Sequence, residues 1–117
     1  EENFTGNGQN FTTGLSTLIL KLPSIDASGS TISGAFDRAV FYLDGAKIVK
    51  KVYPDAASTR PKTSQILTAT TKAVSFSYNN ASVASASAVT VSLTTEKKSA
   101  IGTQENTDKI EAVLRNY

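Results

Sequence analysis

The sequence predicts a mainly β protein made of antiparallel sheets that are built from hairpins. Ser and Thr form about a quarter of the chain, and they favour strands and turns over helices. Two β-rich runs are joined by Asp44-Gly45, a dipeptide typical of tight hairpin turns. Apolar and polar residues also alternate in Ala73–Tyr78, as they do in a half-buried strand.

The composition excludes several functions. The 117 residues suffice for one domain with one core. Because the chain has no Cys and no His, it lacks a thiolate nucleophile, soft metal ligands and the usual proton shuttle of hydrolases. The net charge is only +2, and the basic residues are scattered, so we expect no nucleic-acid partner. The sequence thus predicts no enzyme, and we assign no catalytic, cofactor-binding or metal-binding residue.

The N-terminal part divides into a lead-in and the start of the domain. Residues 1–15 have no strand or helix period, so we expect a loop, in which Phe4 and Phe11 either enter the core or form an exposed contact. Residues 16–117 are expected to form a single β-rich domain. A strand over Ser16–Lys21 should stop at Pro23, and a turn should follow at Asp26–Ser30.

The central hairpin is the best-defined element. If Asp44-Gly45 is its two-residue loop, Phe41 pairs with Ile48 and Tyr42 with Lys47. One face of this hairpin, assigned to the core, carries Phe41, Leu43 and Ile48. The other, assigned to the exterior, carries Tyr42, Lys47, Val49 and Lys51.

Further strands follow an exposed loop. After Tyr53–Ser58 and Arg60–Lys62, a return strand is expected around Gln65–Leu67. The next strand, Ala73–Tyr78, should place Val74, Phe76 and Tyr78 on one face before a turn at Asn79-Asn80.

The C-terminal part contains one segment without a clear pattern and two strands. Residues 81–88 mix Ala and Ser, so their state stays open. Val89, Val91 and Leu93 alternate with polar residues and predict a strand, followed by an exposed loop at Glu96–Gly102. Asp108–Leu114 is interpreted as the terminal strand, with an amphipathic helix as the alternative.

Polar clusters have two interpretations each. Asp26, Asp37, Asp44 and Asp55 could converge on Ca²⁺, but they lack EF-hand spacing and are interpreted as turn residues. The basic groups at Lys50-Lys51 and Arg60–Lys62 are interpreted as a solvated face, with a contact to acidic neighbours as the alternative. Three glycosylation triplets begin at Asn3, Asn10 and Asn80 and are expected by chance in such a chain.

Several segments resemble one family. They are Leu18–Asp26, Val40–Gly45 with Val52–Ser58, Val91–Thr95, and Val113–Asn116 with its closing Leu-Arg-Asn. In these segments and in the order of its elements, the chain resembles the heads of type IV pilin-like minor pilins, specifically J-type pseudopilins and W-type minor pilins.

The resemblance implies a pilin-like globular head, without the family's N-terminal helix that anchors the subunit in the membrane. It implies a structural subunit of a type IV pilus or type II secretion-like filament that helps to prime or cap assembly. The expected partners are other pilin-like subunits, the isolated head is expected to be a monomer, and the expected location is extracytoplasmic.

A second hypothesis comes from a different class of protein. The chain could be a stand-alone extracellular adhesion or carbohydrate-binding β-sandwich module. Such modules commonly present an exposed aromatic platform, and the absence of Trp removes the commonest stacking residue.

Overall fold

The computed structural model describes residues 1–115, and these form three antiparallel sheets. The mainly β fold class built from hairpins is therefore confirmed. The strands are β1 (Asn3–Gly6), β2 (Gln9–Thr12), β3 (Thr17–Ile25), β4 (Thr31–Asp44), β5 (Lys47–Tyr53), β6 (Thr63–Thr68), β7 (Thr71–Tyr78), β8 (Ala88–Ser99) and β9 (Gly102–Val113). A single 3₁₀ turn spans Val83–Ser85, and the described residues contain no α-helix.

Strands β1 and β2 form a hairpin in the segment for which the sequence predicted a loop. The turn residues Asn7 and Gly8 both have positive φ, as a tight hairpin turn requires. The repeated Asn-Phe-Thr motif explains the pairing, because Phe4 lies opposite Phe11 and each Asn lies opposite the Thr of the other copy. Asn-Gly was the signal that could have predicted this hairpin.

The four-stranded sheet follows the chain order from β3 to β6. Strand β3 continues through Pro23 to Ile25, so the predicted stop at Pro23 was wrong. Pro23 is tolerated because β3 lies at the edge of its sheet, where one side of the strand needs no ladder hydrogen bonds. The predicted turn at Asp26 is confirmed, since the Asp26 carboxylate accepts hydrogen bonds from the backbone amides of Ser28 and Ser30.

The central hairpin is confirmed, but its register differs from the predicted one. Asp44 pairs with Lys47, so the loop consists of Gly45 and Ala46. The loop lies one residue further along the chain than predicted, which shifts each cross-strand partner by two residues and places Phe41 opposite Lys50 and Tyr42 opposite Val49. Gly45, with φ of 59°, supplies the left-handed conformation that the turn needs.

Both faces of the four-stranded sheet are covered, which explains the incorrect assignment of one face to the exterior. On one face, Ile19 and Val40 pack against Phe11 of the N-terminal hairpin, with Phe4, Tyr42 and Tyr53 around them. Val49 is buried, and Tyr42 contacts the ring of Phe11. On the other face, Leu18 packs against Phe76 and Val89 of the three-stranded sheet.

The three-stranded sheet has the order β7-β8-β9, and the sequence predicted a strand in each of these three segments. Val74, Phe76 and Tyr78 all face the same core cluster, as expected. The terminal segment is a strand, so the helical alternative is excluded. Strands β8 and β9 are longer than predicted and leave only Ala100 and Ile101 between them, where the sequence had predicted a loop over Glu96–Gly102.

Candidate protein-interaction edge

The hairpin of β8 and β9 combines a buried part with an exposed part. Val89 and Val91 face the core, whereas Thr94 lies on the outer face, where its hydroxyl is 2.9 Å from that of Thr107 on β9. Each of the two strands has 12 residues, longer than the ~5–6 that are usual in globular proteins. The hairpin therefore extends its sheet beyond the core.

Strand β9 lies at the edge of its sheet and is exposed along its whole length. It pairs with β8 from Gly102 to Val113 without a register shift. All 12 of its residues are exposed, and within the described residues no other strand pairs with it. The edge is thus long, regular and accessible.

The direction of the peptide groups follows from one hydrogen bond. The backbone N–H of Leu114 donates to the carbonyl oxygen of Ser87 at 2.7 Å. Because hydrogen-bonded and non-hydrogen-bonded pairs alternate in an antiparallel ladder, the even-numbered residues of β9 direct their N–H and C=O groups towards β8. The peptide groups of Thr107, Lys109, Glu111 and Val113 consequently point away from the sheet.

Charges of both signs lie on this edge. Glu105 forms an ion pair with Lys72 of β7, and this hydrogen bond raises the pKa of Lys72. Lys109 and Glu111 form no ion pair within residues 1–115. Both side chains are exposed and available to a partner strand.

Large apolar side chains are also exposed on the β8–β9 hairpin. Ile101 at its tip is 95% exposed, Ile110 is 66% exposed, and Val113 is 84% exposed. Ile110 lies opposite Val91 on the inner face of the sheet, yet it is largely exposed and does not belong to the core cluster that Val91 packs against. The sequence predicted a terminal strand over Asp108–Leu114, but it did not indicate that this strand forms an exposed edge.

Asp37 is fully buried and has a structural role as a hydrogen-bond acceptor. Its carboxylate accepts hydrogen bonds from the Ser24 and Ser58 hydroxyls, the Asp55 backbone N–H and Arg60 Nε. Burial alone would raise the pKa of Asp37, but these hydrogen bonds outweigh it and leave the pKa below its ordinary value. A carboxylate with its oxygens so fully engaged is not available for acid–base chemistry.

The other candidate calcium ligands do not converge. Asp26 and Asp55 bond the backbone of their own turns, as the sequence predicted, while Asp37 is the buried partner of Arg60. Asp44 ends β4 beside the hairpin turn. Within residues 1–115, no cluster of three or more acidic side chains could hold a metal ion.

The basic residues lie over aromatic rings. Lys50 lies 5.7 Å from the centre of the Phe41 ring, and Lys51 lies 5.5 Å from that of Tyr42. Lys62 lies near Tyr53, and Arg60 pairs with Asp37. The basic residues of the two predicted groups therefore each contact an aromatic ring or a carboxylate of this chain.

An open groove of about 500 Å³ runs between the edge of β3 and the end of β9. Its lining residues include Leu18–Leu22, Val83 and Leu114, together with the charged Glu1 and Arg115. Its walls combine apolar side chains with a few charges, without the converging polar groups of a catalytic cleft.

Comparison with known proteins identifies no relative: no family model, curated protein or solved structure matches this chain. The resemblance to type IV pilin-like minor pilins, including a pilin-like head, is wrong. That family has an α/β fold, whereas this chain is nearly all β. The resembling segments lie mainly in strands and turns of the β fold, and the last of them, Val113–Asn116, ends outside the described residues.

No helical segment among residues 1–115 has the length and apolar character needed to cross a bilayer.

Proposed function

We propose that this chain is a structural module of an extracytoplasmic protein assembly and that it joins a neighbouring subunit by pairing a strand with β9. The observation that carries the proposal is the exposed edge of β9, which is 12 residues long and whose side away from β8 pairs with no strand among the described residues. Its outward N–H and C=O groups are a ready template for strand addition.

The regularity of this edge supports the proposed function. Natural proteins usually protect sheet edges with short strands, prolines, bulges or charged side chains, especially lysines. Strand β9 has no Pro and no register shift, and its charged residues are Glu105, Asp108, Lys109 and Glu111. These charges oppose indiscriminate pairing and favour a partner strand whose charges complement them.

The chemistry of the chain favours a structural role over catalysis. It contains no His or Cys, and its buried carboxylate, Asp37, is held by four donors. The Ser- and Thr-rich composition is typical of protein surfaces outside the cell, which supports the proposed extracytoplasmic location.

The aromatic residues support adhesion through protein contacts over carbohydrate binding. Phe4, Phe11, Tyr42 and Tyr53 contact one another beneath the N-terminal hairpin. Every aromatic side chain among residues 1–115 is at least partly buried, so this part of the chain presents no exposed platform on which a sugar ring could stack.

A site-specific cross-linking experiment tests the proposed function. A photoreactive amino acid replaces Thr107 at the edge, and in a matched control it replaces the equally exposed Ser28 in the turn before β4. We expect irradiation of the producing cells to yield a defined protein adduct from position 107 and none from position 28.

A proline variant makes this test specific for strand pairing. Lys109→Pro removes an N–H that points away from β8, so the internal ladder stays intact while the template is interrupted. The adduct should disappear in Lys109→Pro and persist in Lys109→Ala. Equal cross-linking at positions 107 and 28, or an adduct that survives the proline, would contradict the proposal.

A further inference from the structure

We infer that the strand that pairs with β9 is β9 of a second copy of this chain, running antiparallel, with Ile110 on the two-fold axis. This inference rests on the proposed function and specifies its partner. The two copies would form one continuous six-stranded sheet from their three-stranded sheets. Because the contact is isologous, it uses the same edge of both copies and closes after two chains.

In this register, the charges on β9 of one copy are complementary to those on the antiparallel β9 of the other copy. With Ile110 opposite itself, Lys109 of each copy lies opposite Glu111 of the other. Both residues have outward-pointing peptide groups, so they form the hydrogen-bonded pairs of the new ladder. Each dimer thus gains two cross-strand ion pairs of opposite charge, and neither residue has another ion-pair partner in the described chain.

Neighbouring registers are less favourable. An axis at Lys109 places the Lys109 side chains of the two copies opposite each other, and an axis at Glu111 does the same for Glu111. An axis at Asp108 places Glu105 of one copy opposite Glu111 of the other. In all three registers, residues of like charge lie opposite each other. An axis at Thr107 does pair Lys109 with Glu105, but it leaves Glu111 opposite an uncharged residue. The axis at Ile110 pairs Lys109 and Glu111 at once and places Asp108, which also has no ion pair among the described residues, opposite uncharged Ala112.

The exposed apolar side chains agree with this register. The two Ile110 side chains, each 66% exposed in one copy, would meet as a non-hydrogen-bonded pair, in which Cα atoms approach to about 4.5 Å. Val113, which is 84% exposed, would lie beside Thr107 of the second copy. A β-branched pair at the axis adds packing to the ladder hydrogen bonds.

Sedimentation equilibrium of the whole chain tests the inference. We expect a monomer–dimer equilibrium between about 10 μM and 1 mM, the range of a weak specific interface. This outcome departs from the monomer expected from the sequence. Each of Lys109→Glu and Glu111→Lys places like charges opposite each other twice, and should raise the dissociation constant about tenfold.

A mixing experiment identifies the register. In an equimolar mixture of the Lys109→Glu and Glu111→Lys variants, both cross-strand pairs become oppositely charged again, so the heterodimer should regain the original affinity. The double variant should also recover. Lys98→Glu, which makes the same charge change at an exposed position near the end of β8, is the control and should leave dimerisation unchanged. Circular dichroism of each variant verifies the fold.

The outcomes separate the two proposals. A chain that remains monomeric at about 1 mM, or a dimer that ignores the charge changes, overturns the inference. The absence of recovery in the mixture also overturns it, because the register would be different. If position 107 still cross-links to another protein in cells, the proposed function survives the loss of this inference, whereas failure at position 107 contradicts both.

Discussion

Asp37 and Arg60 form an ion pair in which Arg60 Nε lies 2.6 Å from a carboxylate oxygen that is fully buried. Arg60 also donates to the carbonyl oxygen of Pro23 at 3.1 Å. Since Asp37 lies on β4 and Pro23 on β3, these bonds hold the loop between β5 and β6 against both strands. This loop was predicted to be exposed, and the ion pair shows that part of it is anchored.

Removing the buried carboxylate should destabilise the fold. Asp37→Ala leaves several donors without an acceptor and should lower the free energy of unfolding by about 3 kcal/mol. Arg60→Ala should cost less, because its side chain is 31% exposed and water can replace part of the contact. Urea unfolding followed by circular dichroism measures both, with exposed Asp44→Ala as the control. Equal stability of Asp37→Ala and the control would refute this role.

The free energy of unfolding should decrease in acid because Asp37 becomes protonated. The pKa of Asp37 is lower in the folded state than in the unfolded chain, so its contribution is present above about pH 4 and is lost as the pH falls through the folded pKa. Urea midpoints measured at several pH values should therefore decrease below about pH 4. The decrease should be smaller in Asp37→Asn, which cannot ionise, and an identical slope would contradict the assignment.

The approach of the N-terminal hairpin to the sheet depends on Gly6. A Cβ atom added there would lie 2.5 Å from Tyr53 Cε1 and 2.8 Å from Phe4 Cε1. Gly6→Ala should therefore lower the free energy of unfolding by about 1–3 kcal/mol, because packed rings must move. Gly14→Ala is the matched control, since nothing lies within 4 Å of its added Cβ. The midpoint of thermal unfolding should be lower in Gly6→Ala than in the unmodified chain, and it should be unchanged in Gly14→Ala.

Tyr78 should make the protein sensitive to alkali. Burial raises the pKa of Tyr78 to about 12, and its hydroxyl donates to the carbonyl oxygen of Gly14 at 3.1 Å. The contribution of the neutral phenol is complete below the unfolded pKa of about 10 and is lost as the pH rises through the folded value. The urea midpoint should decrease above about pH 10, and less steeply in Tyr78→Phe. A variant with an unchanged slope would show that Tyr78 does not cause the decrease.

Local patterns in the sequence predicted much of the secondary structure. Alternation identified β7, since Val74, Phe76 and Tyr78 do share a face. Asp44-Gly45 identified the central hairpin, but a dipeptide does not determine which residue closes the loop, and the predicted cross-strand partners were wrong by two residues. The N-terminal hairpin was missed because its strands have only 4 residues each, too few for a period to be visible.

The sequence by itself determined that this is a mainly β protein and where most of its strands lie, because alternation and turn residues act over a few neighbours. Only the tertiary structure decided that both faces of the four-stranded sheet are covered, that Asp37 is buried with Arg60, and that β9 forms an open edge. Each of these features depends on segments far apart in the chain. The burial of a strand and the exposure of its edge depend on which other segments pack against it. The residues of the strand itself do not identify those segments.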